Sequence, residues 1–236
     1  MKTVAALIVA ILFVLPMTVS AQVLVSTEVV SKYIAGAGFL PHDGTTTQVD
    51  VLITLPKGFF FGLWFSSGFD FKPNFGREVD YTLGWQNEVV GTGLAFYDLN
   101  DIFGTQGADI VLPYLELHPS FMRVDQTFTP FVRAEYNLCT RSMSKNSSLD
   151  LSVGMKQSWQ ISERFSVNQR IRLLYDDGLF GSRSGFITRW DIGASAQVTR
   201  QVNLNLSVKN SIPSRSMTDR QNLTSFGVGV SSSFPW

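Results

Sequence analysis

The feature that most limits what this chain can fold into is its final stretch, residues 226–236. Phe226, Val228, Val230, Ser232, Phe234 and Trp236 take every second position, and Gly227, Gly229, Ser231, Ser233 and Pro235 fill the gaps. Alternation of this kind predicts a strand with one face against an apolar medium. Two media qualify, the core of a soluble sandwich and the hydrocarbon of a bilayer. The tail alone does not choose between them.

The start of the chain narrows the choice. Met1 and Lys2 precede an almost wholly apolar run from Val4 to Leu15, Pro16 breaks it, and Val19-Ser20-Ala21 offers small residues for cleavage. A run of about a dozen apolar residues is too short to span a bilayer and reads as a signal peptide cut after Ala21. The rest, residues 22–236, is expected to form one domain of an exported protein. Position 22 is Gln and not Cys, which closes the lipoprotein route. No later stretch reaches the roughly 20 apolar residues of a membrane helix, so membrane residence would have to come from strands. Cys139 is the only cysteine. It excludes an internal disulfide and is expected to be a spare thiol at a strand end.

Period-two patterning predicts twelve strands, over residues 23–33, 47–55, 59–69, 78–86, 90–97, 110–118, 128–137, 149–159, 165–175, 186–196, 202–209 and 226–236. The sixth is the least regular, because Pro113 cannot donate to a ladder. Longer connections follow the odd-numbered strands and short turns follow the even ones, as in a barrel with short periplasmic turns and long outer loops. The connection from Pro119 to Gln126 is long for a periplasmic turn.

Strand charges fall on the less apolar face. The acids there are Glu28, Asp50, Glu78, Asp80, Glu116, Glu135, Asp150 and Asp191, and the bases are Lys32, Arg133, Lys156, Arg170, Arg172, Arg189 and Lys209. Arg77, Asp98 and Asp109 depart from this and lie at strand ends. A Lys or Arg facing lipid at the midplane costs about 2–4 kcal/mol, so this segregation suits a membrane barrel. Aromatic spacing separates barrel from sandwich. Phe59 and Phe69, Phe165 and Tyr175, Phe226 and Trp236, and Phe75 and Trp85 are each ten positions apart on the apolar face. Ten residues at about 3.3 Å rise, tilted about 40°, climb about 25 Å, the height between the aromatic girdles of an outer-membrane barrel. The expected fold is therefore an all-β, twelve-stranded, antiparallel up-and-down barrel of the outer-membrane type. Phe234 and Trp236 are then expected to be the assembly signal, because the closing strand of such barrels ends on an aromatic residue.

Particular segments carry a family resemblance. Val30-Ser31-Lys32-Tyr33, Gly58 to Trp64, Glu78-Val79-Asp80-Tyr81 and Gly93 to Tyr97 follow one another as in the TorF-type porin family, which this chain resembles over roughly its first hundred mature residues. Where that family has Arg-Gly soon after the tyrosine, this chain has Ala35-Gly36. The resemblance implies an outer-membrane channel and identifies no substrate.

Chemistry of other kinds is thinly represented. His118-Pro119-Ser120 invites comparison with hydrolases that use His and Ser, but no third group stands beside it in sequence to orient the base. Asp98, Asn100 and Asp101 lack the spacing of a known calcium loop. His42 is expected to be a solvated loop residue. No motif points to a cofactor, a metal centre or nucleic acid. Trp64 shares the polar face with Asp50, and the Pro56-Lys57-Gly58 turn places them opposite each other. It is either interior packing or an aromatic surface in a solute path.

The two halves differ in charge. Residues 22–118 hold 11 acids and 4 bases, and residues 119–236 hold 8 acids and 14 bases. Inward charges should therefore form an acidic wall and a basic wall, with Asp191 opposite Lys209 and no obvious partner for Arg170 or Arg172. The expected function is passive diffusion of small hydrophilic solutes, anionic or zwitterionic. The expected partners are outer-membrane lipids, the barrel-assembly machinery and the solute, and an oligomer is left open. A plugged barrel with a structural or surface-interaction role is the alternative, with an outer-membrane hydrolase third.

Overall fold

A computed structural model describes residues 21–36, 38–69, 77–99, 109–123, 126–140 and 147–235. The expected signal peptide before Ala21, Phe75, Asn100, Asp101 and Trp236 lie outside them. The strands are β1 (Gln22–Val30), β2 (Thr46–Thr54), β3 (Phe59–Gly68), β4 (Glu78–Gln86), β5 (Val90–Leu99), β6 (Ile110–Leu117) and β7 (Phe121–Arg123). They continue with β8 (Gln126–Cys139), β9 (Ser148–Ser162), β10 (Phe165–Asp176), β11 (Gly185–Gln197), β12 (Val202–Pro213) and β13 (Leu223–Pro235).

Apart from β6 and β7, sequence neighbours pair antiparallel, and two further pairings complete the wall. One joins β1 to β13, from Gln22 opposite Pro235 to Val30 opposite Gly227. The other joins β6 to β8. The result is a closed barrel of twelve strands, each with a neighbour on both sides. The short β7 pairs only with the first residues of β8. It explains the long connection after Pro119: the β6 arm breaks at the proline, then resumes pairing at Phe121, with Arg123 opposite Gln126. Pro113 acts as expected, since the β6–β8 ladder is interrupted at Leu112 and Pro113 and resumes in the same register at Tyr114.

Local chemistry sets the tight turns. Lys57 and Gly58 both have positive φ, and a Cβ on Gly58 would lie 1.9 Å from the Gln86 carbonyl oxygen. Only glycine fits there. Trp85 Nε1 donates to the Lys57 carbonyl at 2.8 Å, fastening this turn to β4. The Asn87 side chain accepts from Val89 N and Val90 N at 2.8 and 2.7 Å, and Thr199 Oγ1 accepts from Val202 N at 3.1 Å in the β11–β12 turn.

The outer face is an apolar belt. Leu83, Leu94, Leu115, Val132, Val153, Leu206, Phe226 and Val228 are all exposed on it. A surface this apolar on every side suits lipid and not water. Two polar side chains on that face satisfy each other, with Gln169 donating to Gln157 across β9 and β10.

Candidate functional site

Inside the barrel, glycines let long side chains lie flat along the wall. A Cβ on Gly227 would meet the Glu28 carboxylate and Ser207 Oγ, so Glu28 crosses β13 over a bare backbone. It accepts from Ser207 Oγ and holds Lys209 Nζ at 2.7 Å on β12. Phe131 covers Gly154, Tyr114 covers Gly93 and Phe60 covers Gly84 in the same manner. Flattened aromatics keep the axis of the barrel less crowded than their volume suggests.

Most interior charges are neutralised in place. Glu116, buried on β6, takes Lys156 Nζ at 2.7 Å, Arg133 Nη1 at 3.4 Å and His118 Nδ1 at 3.4 Å. Arg133 also pairs with Glu135 at 2.5 Å, and its guanidinium stacks 4.0 Å from the Tyr114 ring centroid. Lys32 falls just beyond β1 instead of on a strand, and pairs with Asp43 at the rim at 2.6 Å. Asp191 is opposite Lys209 in register, yet the expected ion pair does not form. Lys209 reaches Glu28, and Asp191 lies 3.8 Å from Arg189. The shorter and better-directed contact wins.

A cluster on β10 and β11 is different. Arg172 and Arg189 are directly paired across the two strands, and Arg170 is paired with Asp191. Arg172 donates to the Gly36 carbonyl at 2.6 Å, and Arg189 donates to the carbonyls of Ala35 and Gly36 at 2.6 and 3.1 Å. No carboxylate among the described residues comes within ion-pair distance of Arg170, whose guanidinium lies 4.9 Å from the Phe131 ring centroid. The opposite wall carries Asp50, Glu78 and Asp80. Trp64 stands between Asp50 and Asp80 in register, with its ring 5.4 Å from that of Tyr33. Tyr33 in turn donates its hydroxyl to Glu78. Trp64, Asp80, Gln48, Arg170, Arg172 and Arg189 line one cavity of about 350 Å³.

The segment after β1 was expected to be strand through Tyr33 and then an ordinary loop. The strand ends at Val30, and the segment folds inward. Tyr33 N donates to the His42 carbonyl, and Gly38 turns with φ of 74°, close against Ser211 and Ile187. Phe39 packs on Leu174, Ile187 and Met217 from one side and joins a cluster of Ala95, Ile110, Leu112 and Leu179 on the other. An apolar cap thus closes over the end of the barrel opposite the termini. Sequence periodicity missed it because these residues come from loops and strand ends that share no period. The only trace was the presence of Ile34, Phe39, Leu179, Phe180 and Met217 in otherwise polar connections.

The remaining candidates find other partners. His118 Nε2 lies 3.0 Å from the Asn87 carbonyl oxygen, whereas Ser120 Oγ bonds Thr129 Oγ1 at 3.0 Å. Glu116 lies 3.4 Å from His118 Nδ1 without a hydrogen bond to it, and the imidazole and the serine hydroxyl bond different partners. Cys139 ends β8 and packs beside the cap cluster. Phe234 is exposed on the outer face near the chain termini. No cluster of three metal-ligating side chains occurs among the described residues.

No family model matches the sequence, and no characterised protein matches it by sequence. Solved structures do resemble the fold. The NanC porin is 13% identical with a TM-score of 0.62, over 88% of this chain and 98% of that one. The KdgM porin, solved in complex with disordered oligogalacturonate, is 13% identical with a TM-score of 0.53, over 90% of this chain and 99% of that one. At this identity the likeness is one of fold.

Proposed function

We propose that this chain is an outer-membrane channel for passive diffusion of small hydrophilic solutes, with anions and zwitterions favoured over cations. The observation that carries the reading is Arg170, a guanidinium on the wall of an interior cavity with no carboxylate of the described residues within ion-pair distance. Arg172 beside it is held by a backbone carbonyl, which leaves its charge uncompensated, and Arg189 is held by two carbonyls with Asp191 at 3.8 Å. A field of this kind inside a low-dielectric tube attracts anions. The porin-type fold supports the same reading, as do the TorF-like segments and the oligogalacturonate, an acidic sugar chain, in the KdgM structure. The chain would be exported with cleavage after Ala21, and inserted into the lipid of the outer membrane by the assembly machinery through Phe234 and Trp236.

The test is ion conductance of the refolded protein in a planar bilayer, with reversal potentials under a salt gradient. Arg170→Gln should lower the anion-to-cation permeability ratio by roughly twofold to tenfold. Arg170 is preferred to Arg172 because Arg172 also holds the inward segment. An unchanged ratio in a conducting barrel would remove the arginines from the selectivity mechanism. The Phe39 cap favours a second reading, a barrel closed at its outer end and serving a structural or surface role. Absence of conductance under all voltages and salts would establish that one instead.

A further inference from the structure

Many interior charges of this barrel are paired with an opposite charge. Lys32, Arg133, Lys156, Arg189 and Lys209 each have a carboxylate within 4 Å, and the acids Glu28, Glu116 and Glu135 each have a Lys or Arg nitrogen within the same distance. Among the described residues Arg170 and Arg172 on one wall, Asp50, Glu78 and Asp80 on the other, and Asp150 on β9 do not take part in any such pair. Asp80 Oδ1 is buried and accepts no hydrogen bond from a described residue, although the Asp80 carboxyl shares a side-chain hydrogen bond with the neighbouring Glu78, and Arg170 Nε donates none. Both side chains open onto the same cavity. They sit on β4 and β10, nearly diametric in the ring of twelve, and no ion pair joins them.

A ligand bearing one charge satisfies one wall and is repelled by the other. A simple anion placed at Arg170 faces Asp80, and a simple cation placed at Asp80 faces three arginines. Only a solute carrying both signs, held apart, is attracted at both ends. We propose that this cavity is a two-point site for small peptide zwitterions, with the carboxylate on Arg170 and Arg172, the ammonium on Asp80, and a side chain against Trp64. The proposal rests on the channel reading only in that the solute reaches the site through the lumen.

Size supports a short peptide. A cavity of about 350 Å³ is small for an oligosaccharide and lies at the lower end of small-molecule sites. A twelve-stranded wall has a radius of roughly 12 Å; subtracting an arginine, an aspartate and two hydrogen bonds leaves about 6–9 Å between the ligand charges. In a single α-amino acid both charges sit on one carbon and cannot face opposite walls. An extended di- or tripeptide, at about 3.3–3.6 Å per residue, spans the gap. The tilted Tyr33 and Trp64 rings provide an aromatic surface on the acidic side, which suits an ammonium as well as an apolar side chain. The inward segment from Tyr33 to Gly36 forms one boundary of the site.

Isothermal titration calorimetry on the refolded full barrel tests the proposal, with triglycine, its N-acetyl form and its C-terminal amide as probes. Triglycine should bind, and each blocked form should bind about ten- to a hundredfold more weakly, the loss of one charged hydrogen-bond partner. Asp80→Asn should abolish the preference over the acetylated form, and Arg170→Gln the preference over the amide. Circular dichroism and heat-shifted gel mobility confirm that each variant is folded. Equal binding of acetylated and parent peptide, or an unchanged preference in folded Asp80→Asn, would overturn the two-point site. Conductance measured in parallel separates the two readings. Conductance with no triglycine binding rejects the site and keeps the channel, whereas the expected binding pattern without conductance keeps the site and rejects the channel.

Discussion

Arg220→Ala will open the capped end of the barrel. Asp176, the last residue of β10, is fully buried; its Oδ1 accepts from Gly178 N and Leu179 N at 2.8 and 3.0 Å, and its Oδ2 from Arg220 Nη2 at 2.7 Å. Arg220 also bonds Ser182 Oγ at 2.9 Å and stacks 3.3 Å from the Phe39 ring centroid. One guanidinium therefore joins the segment after β1, the β10–β11 loop and the β12–β13 loop. Its removal leaves a buried carboxylate without its cationic partner, at a cost of about 3–5 kcal/mol. That cost falls on the cap, because the wall keeps its own hydrogen-bond ladders. Single-channel conductance should rise, and amide exchange should speed up at Leu179 to Ser182 and at Met217. Adding Asp176→Asn should recover part of the loss, since the stranded charge goes with it. Unchanged conductance and exchange would show that the cap does not depend on this contact.

Val153→Arg should cost nearly as much, through a different medium. Val153 is 53% exposed at mid-height on the outer face of β9, where a positive charge meets hydrocarbon at about 2–4 kcal/mol. Ile171→Arg on the adjacent strand should act alike. The fair interior control is Asn168→Arg, an exposed position on the inner face of β10. Ser152, next to Val153 in sequence, does not serve, because it is 3% exposed and has no room for an arginine. Denaturant titration of refolded protein in lipid vesicles measures the difference. Equal losses at Val153 and Asn168 would overturn the assignment of faces.

The wall of this barrel was legible residue by residue. A strand has period two, so Val153 and Ser152, or Ile171 and Arg170, must point opposite ways once either direction is known. Tight turns then set the register, which is why Asp50 faces Trp64 and Asp191 faces Lys209 as counted from the sequence. Even the irregular sixth strand showed its cause, two prolines that cannot donate. What periodicity cannot encode is which side chains meet across the lumen. Glu28 and Lys209 are 181 positions apart and become neighbours only when β1 pairs with β13 and Gly227 leaves a path between them. Glu116 likewise collects Lys156 from beyond β8. The cap was equally invisible, because Phe39, Met217 and Leu179 lie in aperiodic connections whose apolar character gains meaning only when three loops converge. Strand faces are a local property of the chain. Charge pairing, the cap and the cavity between Asp80 and Arg170 depend on closure, which brings together residues that sequence order keeps apart.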